Sequence, residues 1–79
     1  MKTSIARQLK KEVVMPILAG DSVEESVMVL QKIFLSPPQD MDAALLDKIQ
    51  LQFAHKDLGV RFWAKKVFQK YSFRFFIDD

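Results

Sequence analysis

The dipeptide Pro37-Pro38 sits near the middle of a chain of 79 residues, and no helix passes through it. Each proline lacks a backbone N–H, and the residue before a proline, here Ser36, is pushed out of helical geometry. Each half can hold a pair of short helices but is too short to fold alone. Residues 1–79 therefore read as a single small domain. A chain this short hides only about 60–65% of its unfolded surface on folding, so its stability margin is thin.

Apolar spacing on both sides of the prolines is helical. In residues 3–19, Ile5, Leu9, Val13 and Ile17 recur every four positions, close to one face of a helix. Thr3 or Ser4 is placed to cap its start. Pro16 predicts a kink near Glu12 and Val13, or an end with a fresh turn, and Gly20 a left-handed stop. Ser22 followed by Glu25 is a capping box, with Asp21, Glu24 and Glu25 at the end the helix dipole favours for acids. Val23, Val27, Leu30 and Phe34, with Ile33 beside them, form the expected buried stripe of this second helix. A third helix starts at Asp40 or Asp42, buries Leu45, Leu46, Ile49 and Phe53, and carries His55 and Lys56 in its last turn. The fourth starts near Asp57 and Gly59. Its inner face holds Val60, Trp63, Ala64, Val67, Phe68, Tyr71 and Phe75. It is expected to run to about Ser72; residues 72–77 read equally as helix, short strand or tail. The predicted fold class is all-α: four helices in two antiparallel hairpins, breaking at 20–21, 37–39 and 57–59.

The two halves carry a weak internal repeat. At a shift of 37 residues, Val23 falls on Val60, Val27 on Ala64, Leu30 on Val67 and Phe34 on Tyr71. The stretch Asp57-Leu58-Gly59-Val60-Arg61-Phe62-Trp63-Ala64 resembles the second helix of a HEAT-repeat unit, which typically opens with Asp, a short gap, Val-Arg, and Ala three residues on. Met15-Pro16-Ile17-Leu18 is similar to the proline-kinked first helix of such a unit. The first hairpin departs from the pattern: Asp21 lies one residue from the acid position, and Glu24 stands where arginine is expected. The resemblance implies a binding scaffold with no chemistry of its own. A plain four-helix bundle is the other architecture the pattern allows.

Composition excludes most catalytic chemistry. The chain has no cysteine, one histidine (His55) and two glycines (Gly20 and Gly59). That leaves no thiolate metal site or thiol nucleophile, no site built from two histidines and no phosphate-cradling glycine loop. Asp40 and Asp42 alternate as in a calcium loop, but Leu45 and Leu51 stand where that loop needs glycine and glutamate. The serines and Tyr71 have no histidine base in sequence context. We therefore expect no enzyme, no metal, no cofactor and no small-molecule substrate. No apolar run approaches the length of a membrane span. Lys10, Lys11 and Glu12 interrupt what would otherwise resemble a secretory signal. With no cysteine, this fits a cytoplasmic protein.

Charge is unevenly distributed. Residues 1–20 carry Lys2, Arg7, Lys10 and Lys11 against Glu12, residues 21–57 carry seven acids against three lysines, and residues 58–77 carry Arg61, Lys65, Lys66, Lys70 and Arg74 with no acid. The net charge is only +2, which is weak steering for a polyanion. Seven of the chain's nine aromatics lie in residues 61–76, and the inner face accounts for four of them. Phe62, Phe73 and Phe76 fall outside it, near Lys65, Lys66 and Gln69. A solvent face rarely carries three phenylalanines, so these six residues are the candidate partner-binding set, for another protein or a second copy. The predicted function is a small adaptor, scaffold or regulator. The alternative is a small nucleic-acid-binding protein, with Arg61, Lys65, Lys66, Lys70 and Arg74 on phosphates and the rings stacked on bases.

Overall fold

The computed structural model describes residues 9–76, with side chains as far as Ser72. Among these residues the chain forms α1 (Lys11–Ala19), α2 (Val23–Leu35), α3 (Ala43–Leu51) and α4 (Leu58–Phe76), and a single 3-10 turn, Gln52–Ala54, continues α3. No strand occurs among them, so the fold is all-α.

The packing is stacked like on like. α1 packs on α2, and α3 on α4, within each hairpin; between hairpins α1 packs on α3 and α2 on α4. This gives two layers. The thinnest dimension, 18 Å, is the depth of two helices whose axes lie about 8–10 Å apart. Each helix contributes a short inward line. Val14 and Leu18 come from α1, Val29, Leu30 and Ile33 from α2, Leu45, Leu46 and Ile49 from α3, and Val60, Ala64, Val67 and Tyr71 from α4. Burying a large apolar side chain contributes about 1.5–3 kcal/mol against the entropy of ordering the chain.

Helix starts are set by short polar side chains. Ser22 Oγ accepts from the Glu25 N–H at 3.2 Å, which is the serine's half of the capping box. Asp42 Oδ1 accepts from the Leu45 N–H at 3.0 Å, and Asp57 Oδ2 from the Val60 N–H at 3.0 Å. Gly59 makes room for that last cap: a Cβ there would sit 3.1 Å from Asp57 Oδ2. α1 is capped from a distance. Lys10 gives it no side-chain cap, and Asp40 Oδ1 accepts from the Lys11 N–H at 3.0 Å, across 29 residues. Lys11 Nζ also bridges Asp42 Oδ2 at 2.7 Å. The acids after the double proline thus tie the start of α1 to the start of α3.

Several expectations are corrected. Leu9 and Lys10 are not helical, and α1 starts at Lys11; residues 3–8, including Thr3, Ser4 and Ile5, lie outside the described residues. The inward line of α1 is Val14 and Leu18, while Val13 is 47% exposed and Ile17 only half-buried. The apolar run Val13-Val14-Met15 offers two helical stripes, and packing selects the other one. α1 does not end at Pro16 but runs through it. The carbonyl that loses its partner there belongs to Glu12, an exposed residue that water reaches. Gly20 is extended (φ −86°, ψ −176°) rather than left-handed. Its N–H reaches Ile17 O at 3.1 Å, closing the helix without a positive φ. In α2, Val23, Val27 and Phe34 are half-buried, and Ser26 takes a place in the core. His55 is not in a helical turn; it follows the 3-10 turn, and its Nδ1 accepts from the Asp57 N–H at 2.9 Å. α4 continues four residues past Ser72, to Phe76.

The Lys11–Asp42 bridge makes stability pH-dependent. The hydrogen bond from Lys11, and then the Leu45 N–H, hold the Asp42 carboxyl below the usual carboxylate range. The bond to Asp42 raises the Lys11 ammonium. A depressed carboxylate stabilises above its unfolded value and loses that contribution as pH falls through its folded value; a raised ammonium stabilises below its unfolded value and loses its contribution as pH rises through its folded value. The bridge is therefore fully formed at neutral pH. Lys11→Met is expected to lower the Tm at pH 7, and the gap from wild type to narrow as pH falls to about 2, below the carboxylate range. Thermal melts followed by circular dichroism check this; a gap that persists unchanged in acid contradicts it.

Candidate interaction surface

The outer face of α4 carries the candidate residues. One turn into the helix, Phe62 is 50% exposed. It is held in place from the inside. Its ring meets Trp63 edge-on, with centroids 5.3 Å apart, and Trp63 meets Phe34 of α2 in the same way at 5.8 Å. An aromatic ladder thus runs from the half-buried Phe34 outwards to the exposed ring. Lys66, one turn on, places its Nζ 5.6 Å from the Phe62 centroid, within reach of a cation–π attraction. Gln69 is exposed one turn further.

The other basic residues diverge from that line. Lys65 leans the opposite way, with Nζ 5.9 Å from the Phe53 ring, which itself packs edge-on to Phe68 at 5.4 Å. Arg61 Nη1 donates to the carbonyls of His55 (2.8 Å) and Lys56 (3.1 Å), closing the loop before α4. Lys70 Nζ donates to Phe34 O at 2.6 Å and lies 4.2 Å over the Phe34 ring. Tyr71 OH donates to the same oxygen at 2.7 Å. Phe34 is in the last turn of α2, where carbonyls lack intrahelical partners. Two residues of α4 therefore cap α2. The structure brings Phe62, Lys66 and Gln69 together, places Lys65 on the flank, and turns Arg61 and Lys70 towards backbone carbonyls. The side chains of Phe73, Arg74 and Phe76 lie outside the described residues.

One part of this face was not anticipated. Val27, assigned to the core from sequence, sits at the α2–α4 seam, 3.6 Å from where a Cβ on Gly59 would be. Next to it an open apolar hollow is lined by Val23, Glu24, Val27, Met28 and Gln31. α2 therefore presents apolar surface of its own beside the seam. The signal was present in the spacing: Ser26, Leu30 and Ile33 form a complete inward stripe, which leaves Val23 and Val27 on the edge.

Among the described residues no three His, Cys, Asp or Glu side chains come together as metal ligands. No described helix is long and apolar enough to cross a membrane. Every buried side-chain nitrogen or oxygen among them has a hydrogen-bond partner. No known protein family, curated protein or solved structure matches the chain.

The shared carbonyl of Phe34 gives a direct test of the seam. Tyr71→Phe removes one neutral hydrogen bond and little volume, which costs about 0.5–1.5 kcal/mol. Lys70→Met is expected to cost less, because its bond is exposed to water. Urea unfolding of both variants measures the difference; a Tyr71→Phe variant as stable as wild type contradicts the bond.

Proposed function

We propose that the chain is a non-catalytic protein–protein interaction module that binds its partner along the outer face of α4. The observation that carries this reading is Phe62, a half-exposed ring braced from behind by Trp63 and Phe34. A braced aromatic loses little conformational freedom on binding, so more of its burial appears as affinity. The positions 62, 66, 69, 73 and 76 also follow one another at alternating steps of four and three along a helix that runs to Phe76, the spacing along which a partner helix lies. Lys65 flanks this line. The like-on-like stacking of the two hairpins is what two adjoining HEAT-type units would give, and this supports a scaffold reading.

The alternative, nucleic-acid binding through Arg61, Lys65, Lys66, Lys70 and Arg74, has less behind it. Arg61 and Lys70 already donate to carbonyls, and Lys65 and Lys66 lean to opposite sides of α4.

The two readings separate on Phe62 against the lysines. In a pull-down from native-host extract, Phe62→Ser is expected to weaken capture of the partner about three- to tenfold, because only the exposed half of the ring is left to bury, worth about 0.7–1.5 kcal/mol. Lys65→Ala with Lys66→Ala is expected to change it little. Partners that survive Phe62→Ser but are lost with the two lysines, together with retardation of single-stranded probes that weakens steeply with salt, would overturn the proposal in favour of nucleic acid.

A further inference from the structure

Among the described residues, a second surface without a partner lies where α2 meets α1. There, between α1 and α2, runs an apolar groove of about 230 Å³ lined by Leu9, Ile17, Glu25, Met28, Val29 and Lys32. Met28 is 51% exposed, and Val13, one turn before Ile17 in α1, is 47% exposed. Part of the apolar stripe that the sequence assigned to the core is thus turned outwards, onto this edge.

The charges on the rim say what fits it. Glu25 and Lys32, both exposed, stand seven residues apart on one line of α2, with Met28 between them. Two turns of helix separate them by about 10 Å along the axis, too far for them to pair with each other. A second α2 laid parallel would set Glu against Glu and Lys against Lys. Laid antiparallel about a two-fold axis midway between the two charges, it sets each Glu25 against the other copy's Lys32, twice over. That midpoint falls beside Met28, so this exposed apolar residue of the line meets its copy near the centre, while Val29 behind it belongs to the core. Opposed helix dipoles favour the same arrangement. An edge that complements itself under a two-fold rotation is the signature of an isologous contact.

We infer that the α1–α2 edge is a self-association surface, through which two copies of this chain form a symmetric dimer with their α2 helices antiparallel. The inference does not rest on the reading of α4: the contact uses Glu25, Met28 and Lys32 of α2 and none of Phe62, Lys66 and Gln69.

Sedimentation equilibrium tests it with the full chain, using variants whose fold is verified by circular dichroism. Wild type is expected to dimerise. Glu25→Lys alone and Lys32→Glu alone are each expected to weaken the dimer by about tenfold or more, because two facing pairs turn repulsive at once. An equimolar mixture of these two variants, and the chain carrying both substitutions, are expected to recover wild-type association. Phe62→Ser is expected to leave the dimer intact. A wild type that stays monomeric overturns the inference, as do single reversals that associate like wild type. A mixture that fails to recover rules out the antiparallel two-fold contact. Loss of the dimer in Phe62→Ser, with Glu25→Lys unaffected, would place self-association on α4 instead.

Discussion

The inner line of α4 is the contact on which the other helices depend. Val60, Ala64 and Val67 are fully buried, and Tyr71 nearly so. They pack against α2 on one side and against α3 with its 3-10 turn on the other. Without α4, the main contacts left between helices would be those of α1 with α2 and α3. α4 also supplies polar closure. Tyr71 and Lys70 satisfy the end of α2, and Arg61 satisfies the loop that leads out of the 3-10 turn. One helix therefore buries the apolar centre and caps its neighbour, which suits a chain too short to build a second core.

The same placement explains why the candidate surface lies where it does. A helix packed on both flanks has one face left over. On α4 that face begins with the exposed Leu58 and, one turn on, Phe62, whose neighbour Trp63 is turned inwards to Phe34. The ring cannot follow Trp63 into the seam, because adjacent residues on a helix point in different directions. A similar argument applies to α2. Its inner line is used by the core, and Glu25, Met28 and Lys32 are among the residues left exposed on its outer side.

Much of this was legible in the sequence where the local chemistry admits one answer. Ser22, Asp42 and Asp57 are short acceptors ahead of apolar helical spacing, and each caps the helix expected of it. Val60, Ala64, Val67 and Tyr71 recur at helical spacing with Arg61, Lys65 and Lys70 off their line, and all four are buried. Where two answers were available, spacing failed to choose. Val13 and Val14 are chemically identical, and only packing against α2 and α3 decides that Val14 goes inside. Ser26 and Gln52 are polar, so a search for apolar residues passes over them. Yet Ser26 Oγ reaches Ile17 O at 3.4 Å and Gln52 Nε2 reaches Lys48 O at 3.2 Å, and each can be buried because it has a partner. Asp40 was read as part of its own helix start. Its capping of α1 depends on a contact across 29 residues, which no local pattern contains. On the candidate surface, Phe62 was legible because it falls off a clear stripe. The engagement of Arg61 and Lys70 was not, because their acceptors are backbone carbonyls, which every sequence has.

α4 holds both hairpins in one cooperative unit. Native-state amide hydrogen exchange on the intact protein tests it most directly, since it reports which segments open together. The amides of Val60, Ala64 and Val67 are expected to exchange only through global unfolding, with the same free energy as those of Leu30 and Ile33 in α2 and Leu45 and Ile49 in α3. If instead α4 opens at a clearly lower free energy while α1 and α2 stay protected, the two hairpins are separate units and α4 does not hold them together.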